Sequence, residues 1–100
     1  MTRFEWDANK AESNRRKHGV TFEIAVRVFA DPACVTVQDR IEDSELRWQA
    51  LGLVDGTVLL LVAHLWFDGD EGEVVRIISA RRATRAEWRR YDEENGQARL

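Results

Sequence analysis

The 100 residues are 44% hydrophobic and 33% charged, with a net charge of −3, six Gly, one Pro, two His and a single Cys. This length fits one domain with a radius of gyration of roughly 13 Å. It excludes a second core and a large internal cofactor cavity, while one Cys and two His at these spacings exclude a disulfide framework and a closed zinc site.

In chain order, Phe4-Glu5-Trp6 alternates as a short strand does. Asp7 is placed to cap a helix over residues 8–18, and Gly19 suits its left-handed C-terminal position. The last turn of that helix holds Arg15, Arg16, Lys17 and His18, which also suit the negative end of the helix dipole. Thr21 predicts a second cap, with a helix over about 22–30 whose apolar stripe is Phe22, Ala25 and Phe29, stopped by Asp31-Pro32. Strands follow over 34–39, 46–54 and 58–67, the last two joined by the tight-turn pair Asp55-Gly56. Residues 68–72 read as a longer acidic loop, and Glu73 to Arg81 as a further strand. Thr84-Arg85-Ala86-Glu87 is a capping box for a last helix over 85–94. The expected architecture is α+β in the order β-α-α-β-β-β-β-α, an antiparallel meander with one sheet face covered by helices and the other left open for a site.

The charge is segregated along the chain. Residues 1–30 carry six basic and four acidic groups, residues 31–75 two and ten, and residues 76–100 seven and four. Two basic ends thus flank an acidic middle, and a fold that brings the ends together gives an acidic protein a face for phosphates. No apolar run is long enough to span a bilayer, the longest being about ten residues, and Met1 to Glu5 has no apolar signal core, so a cytoplasmic, membrane-free protein is expected.

Alternation sorts the strand residues by face. His64 shares one face with Val58, Leu60, Val62 and Trp66. Ile77, Ser79 and Arg81 alternate with Arg76, Ile78 and Ala80, and Arg47, Gln49 and Leu51 with Trp48, Ala50 and Gly52. A lone His in an apolar strand is more often a satisfied core residue than a catalyst. Strand arginines usually snorkel or pair with a carboxylate. Trp48 and Trp66 are expected in the core. Only convergence on one face would make these residues a site.

Two separated segments carry a family resemblance. Phe4-Glu5-Trp6-Asp7-Ala8-Asn9-Lys10-Ala11, with Arg16-Lys17-His18-Gly19-Val20-Thr21-Phe22-Glu23 and Phe29-Ala30-Asp31-Pro32, resembles the N-terminal signature of BrnT toxins. Arg76-Ile77-Ile78-Ser79-Ala80-Arg81-Arg82-Ala83-Thr84, followed by Glu87 and Tyr91, resembles their second signature. The resemblance covers nearly the whole chain. It departs where many relatives carry a Glu-Arg pair, here Glu45-Leu46-Arg47, and in the long acidic 68–72 loop.

The resemblance implies a RelE-like fold and a ribonuclease of a type II toxin–antitoxin module. It also implies a BrnA antitoxin partner, a ribbon-helix-helix dimer that contacts operator DNA and with which the toxin represses its own operon as a hetero-oligomer. Cleavage of that kind, with no metal or other cofactor, moves a 2′-hydroxyl onto the adjacent phosphate. It needs a base, an acid and cations for the charge that builds on phosphorus. His64 is then the candidate base or acid, with an unperturbed pKa of about 6.5. Arg47, Arg81 and Arg76 are candidates for the phosphorane, because a planar guanidinium grips phosphate oxygens bidentately. Arg16, Lys17, His18 and Arg82 are candidates for holding the RNA backbone. The competing reading is a non-catalytic module that stabilises a DNA-bound antitoxin and tunes repression. Direct DNA binding is disfavoured, since no helix presents a basic, polar reading face.

Overall fold

Each predicted helix starts on its capping residue. In the computed structural model, which describes residues 1–96, the Asp7 carboxylate accepts from the Asn9 amide and opens α1 (Ala8–His18). Gly19 closes α1 at φ 72°, where a side chain would be strained. Thr21 accepts from the Ile24 amide to open α2, and Thr84 and Glu87 exchange both bonds of a capping box at the start of α3 (Arg85–Glu94). The predicted 22–30 helix is divided. Its α-helical part, α2, covers Phe22–Ala25 only, and Val26–Ala30 continues as a tighter 3-10 segment. That segment crosses β3 (Glu45–Val54) so closely that a Cβ on Gly52 would meet Val28 Cγ1 and its carbonyl oxygen at 2.8 Å.

The other strands are β1 (Thr2–Glu5), β2 (Val35–Glu42), β4 (Val58–Gly69) and β5 (Gly72–Arg82). They form one five-stranded sheet in the order β1-β5-β4-β3-β2, with β1 parallel to β5 and the remaining pairs antiparallel. The element order β-α-α-β-β-β-β-α is as expected. Two turns differ from expectation. Asp43-Ser44 joins β2 to β3 with both residues at positive φ, 53° and 66°, and no glycine to announce it. The expected 68–72 loop is a tight turn with only Asp70 and Glu71 between the strands.

Both sheet faces are covered, where one was expected. Val20, Phe22, Ala25 and Val28 pack on Ala50, Val62, Ile77 and Ala80 of one face. On the other, Leu51, Leu59 and Leu61 form a second apolar stripe, and Tyr91 of α3 closes over it with Trp88 alongside. This stripe lies at one end of the second face only. The rest of that face stays clear of α3.

Side chains complete the sheet where strands stop short. β1 pairs with β5 only as far as Arg76. Beyond it the buried Asn14 amide of α1 donates to the Ala80 and Val20 carbonyls, both at 2.9 Å, and accepts from the Ala80 amide at 3.1 Å. At the other edge Asp31 accepts from the Leu53 amide at 2.8 Å and from the Tyr91 hydroxyl at 2.5 Å, which ties α3 to the chain before β2. Open strand edges are thereby satisfied without a further strand. Among the described residues no helix is long and apolar enough to cross a membrane.

Candidate functional site

A single irregularity in the β4–β5 ladder decides which side chains share a face. Ala63 pairs with Ser79 but His64 pairs with Ile77, so Ile78 is an extra residue in β5. Such a bulge breaks strict alternation. Without it Arg76 and Arg81 would point to opposite faces. With it Arg81 stands beside Leu61, Ser79 beside Ala63, and Arg76 beside Leu65, all on one face. Trp48 pairs with His64 on the other face, so Arg47, one residue before it in β3, joins Arg76 and Arg81.

The three arginines therefore share the second face, Arg47 and Arg76 on the part that α3 leaves clear and Arg81 at the border of α3, beside Leu61 and bonded to Glu87. Arg76 and Arg81 lie four β4 residues apart, roughly 13 Å along the strands. Between them runs the half-buried row of Gln49, Ala63 and Ser79. Each arginine has a carboxylate beside it. Arg76 Nη1 donates to Glu5 at 2.9 Å, and Arg47 Nε lies 3.5 Å from Glu42. Arg81 donates through Nη1 and Nη2 to the two oxygens of Glu87 at 2.9 and 3.0 Å. The Arg81 hydrogen bond holds the Glu87 carboxyl below the usual carboxylate range, and the Thr84 amide adds to it against the effect of burial.

His64 is on the opposite face. Its ring is 1% exposed and stands edge-on to Phe29, with centroids 5.0 Å apart, and Nδ1 is 3.4 Å from the Val62 carbonyl oxygen. It forms part of the wall of a cleft of about 500 Å³ with Phe4, Phe29, Thr36, Trp66 and Val75. Burial pushes its pKa below the ordinary histidine value, and the Val62 carbonyl draws it back only in part. The folded protein thus binds fewer protons at His64 than the unfolded chain. The stability this group contributes is complete above about pH 6.5 and is lost as pH falls from there through the folded value. The urea midpoint is expected to drop between pH 7.5 and pH 5, and His64→Phe, which preserves a flat ring, to drop less. Equal falls would place the acid sensitivity elsewhere.

The remaining candidates also lie away from the arginine face. Arg82 pairs with Leu60 on the helix side and forms part of a cleft with Gly19 and Val20, which follow Arg16, Lys17 and His18 at the end of α1. Arg16, Lys17 and His18 are exposed. Trp66, expected in the core, is 44% exposed because the helices stop short of it; its ring meets Trp48 edge-on at 5.3 Å. Glu87 was legible in the sequence as the last residue of a capping box and as part of the second family signature, not as a partner of Arg81. Its spacing from Arg81 was visible, but the bond between them depends on the turn that starts α3.

These features define a small α+β protein that presents cations from one face of a single sheet. Over residues 6–87 the sequence matches the family of BrnT, the ribonuclease toxin of type II toxin–antitoxin systems, and the chain belongs to that family. The fold agrees: the 1.1 Å crystal structure of the Brucella abortus ribonuclease toxin BrnT superposes with a TM-score of 0.60 at 22% identity, over 85% of this chain and 100% of that one. No curated protein matches the chain. Membership makes an antitoxin its partner.

Proposed function

We propose that this chain is a cytoplasmic endoribonuclease that cleaves RNA without a metal, by transfer of the phosphate to the 2′-hydroxyl. The observation that carries this reading is the convergence of Arg47, Arg76 and Arg81 on one open sheet face. Phosphoryl chemistry on RNA builds negative charge on the equatorial oxygens, and fixed guanidinium groups stabilise that charge without reorganising during the reaction. The carboxylates beside them hold the side chains in place; a phosphate can displace the more exposed Arg76–Glu5 pairing, because exposed ion pairs are individually weak, and can use the N–H groups that Arg81 does not give to Glu87. The exposed Arg16, Lys17 and Arg82 would hold flanking phosphates by a salt-dependent attraction, with His18 beside them as a hydrogen-bonding group. The antitoxin is proposed to be a BrnA-type ribbon-helix-helix protein, through which the complex reaches operator DNA and represses its own operon.

The test is direct. Purified protein incubated with labelled RNA, with and without EDTA, is expected to give the same cleavage rate and ends carrying 2′,3′-cyclic phosphate. Loss of cleavage in EDTA would overturn metal independence. Antitoxin binding with no cleavage, alone or in a translating extract, would favour the non-catalytic module.

A further inference from the structure

We propose that the Glu87 carboxylate is the general base of the arginine face, taking the 2′-hydroxyl proton while its partner Arg81 holds the phosphate; this rests on the ribonuclease reading above. The reaction needs a base within hydrogen-bond reach of the attacking hydroxyl. Neither histidine supplies it on this face, since His64 is buried on the other side of the sheet and His18 ends α1. Three carboxylates stand beside the arginines, and they differ in how firmly they are held. Glu5 pairs with Arg76 and Arg3 at the β1 edge, and Glu42 lies 3.5 Å from Arg47 and 3.2 Å from Arg40 at the opposite edge. Glu87 is the most enclosed of the three, with 18% of its side chain exposed.

Glu87 is also fixed in orientation. Its Oε1 accepts from the Thr84 amide at 2.8 Å and from Arg81 Nη1 at 2.9 Å, while Oε2 accepts from Arg81 Nη2 at 3.0 Å. Among the described residues Oε2 thus takes one bond and has room for a hydroxyl donor. Arg81 gives two N–H groups to Glu87 and one to the Arg82 carbonyl. That leaves two of its five for a phosphate. One guanidinium therefore sets base and phosphate side by side. The proton of the 2′-hydroxyl passes to Oε2, the 2′-oxygen attacks phosphorus, and the bond from phosphorus to the 5′-oxygen breaks. Water protonates the departing 5′-oxygen, leaving a 2′,3′-cyclic phosphate and a 5′-hydroxyl, and Glu87 returns its proton to water. Arg81 keeps this carboxylate ionised throughout the neutral range.

The test uses the full chain and a labelled RNA pool of mixed sequence. Glu87→Gln keeps an acceptor oxygen for Thr84 and Arg81 but cannot take the proton. It is expected to cleave at least about 100-fold more slowly while binding the RNA within threefold of wild type. Glu87→Asp is expected to recover part of the loss. The wild-type rate is expected to stay flat from pH 8 down to pH 5, whereas a histidine base of ordinary pKa would bring a fall centred near about 6.5; His64, whose value burial lowers, is tested by the activity of His64→Phe. Should Glu87→Gln melt below the assay temperature, the wild-type pH profile and His64→Phe decide together: a flat profile with His64→Phe active supports the carboxylate, and a histidine-like fall or an inactive, folded His64→Phe overturns it. Cleavage by folded Glu87→Gln within tenfold of wild type, with Arg81→Ala inactive, overturns the base assignment and leaves the ribonuclease reading standing. Wild-type protein that cuts no RNA, alone or in a translating extract, overturns both.

Discussion

Arg47→Ala and Arg81→Ala are each expected to lower the rate of RNA cleavage by about 100-fold or more, the scale on which a fixed donor to a developing oxyanion acts. Arg76 is more exposed and nearer the β1 edge, so Arg76→Ala is expected to cost about tenfold. Arg81→Lys retains the charge but loses the planar fork that spans Glu87 and a phosphate. It is expected to recover little of the rate. Arg76→Ala should move the melting temperature little, because its pairing with Glu5 is partly exposed and screened by solvent, whereas Arg47→Ala and Arg81→Ala break more enclosed contacts and should lower it more. His64→Phe separates the two possible placements of the reaction. With the arginine face as the site, it leaves cleavage near the wild-type rate. If cleavage falls as far with His64→Phe as with Arg81→Ala, the reaction belongs to the helix-side cleft instead. Initial rates on labelled RNA, with growth inhibition at matched expression, provide the measurement.

The elements of this fold were legible in the sequence because they rest on local chemistry. Asp7, Thr21 and Thr84 each place a side-chain acceptor before amides that would otherwise lack partners, and Asp55-Gly56 supplies a turn with two positive φ values. Asp43-Ser44 makes a similar turn without a glycine to signal it, and β2 and β3 are longer than expected. The residues of the candidate site were also visible one by one, but their grouping was not. Alternation along β5 sends Arg76 and Arg81 to opposite faces. One extra residue at Ile78 reverses that, and its position is set by pairing with β4, which a period-two reading does not contain. The same register places His64 behind the sheet, where its apolar neighbours had already suggested it belonged. Net charge is uninformative for a related reason: a mean of −3 says nothing about which face of one sheet receives the arginines.

Asn14→Ala is expected to be the most destabilising polar substitution in the chain, at about 2–4 kcal/mol, because it leaves three backbone groups without their partner. The Asn14 side chain acts as a short length of strand. Its amide oxygen and nitrogen engage the amide and the carbonyl of the same residue, Ala80, as a neighbouring backbone would, and the nitrogen also reaches Val20 after the α1 turn. Removing it exposes an unpaired sheet edge and loosens α1 from β5 together, and the site is tied to the same strand, since Arg81 follows Ala80 directly. Asn14→Asp discriminates between lost volume and lost hydrogen bonds. It keeps the size of the side chain but sets a carboxylate against the Ala80 and Val20 carbonyls, with no donor for either. At neutral pH it is therefore expected to be at least as destabilising as Ala. Burial beside two carbonyl oxygens raises the pKa of such a carboxyl above its unfolded value, so the deficit should shrink as pH falls and the acid form regains one donor. For a domain of this size each kcal/mol moves the melting temperature by about 4–8 °C. Calorimetry of Asn14→Ala at pH 7 is thus expected to show a drop of more than about 10 °C. A melt within 3 °C of wild type would mean that water or a shifted β1 takes over the Ala80 edge, and that α1 is held by its apolar contacts alone.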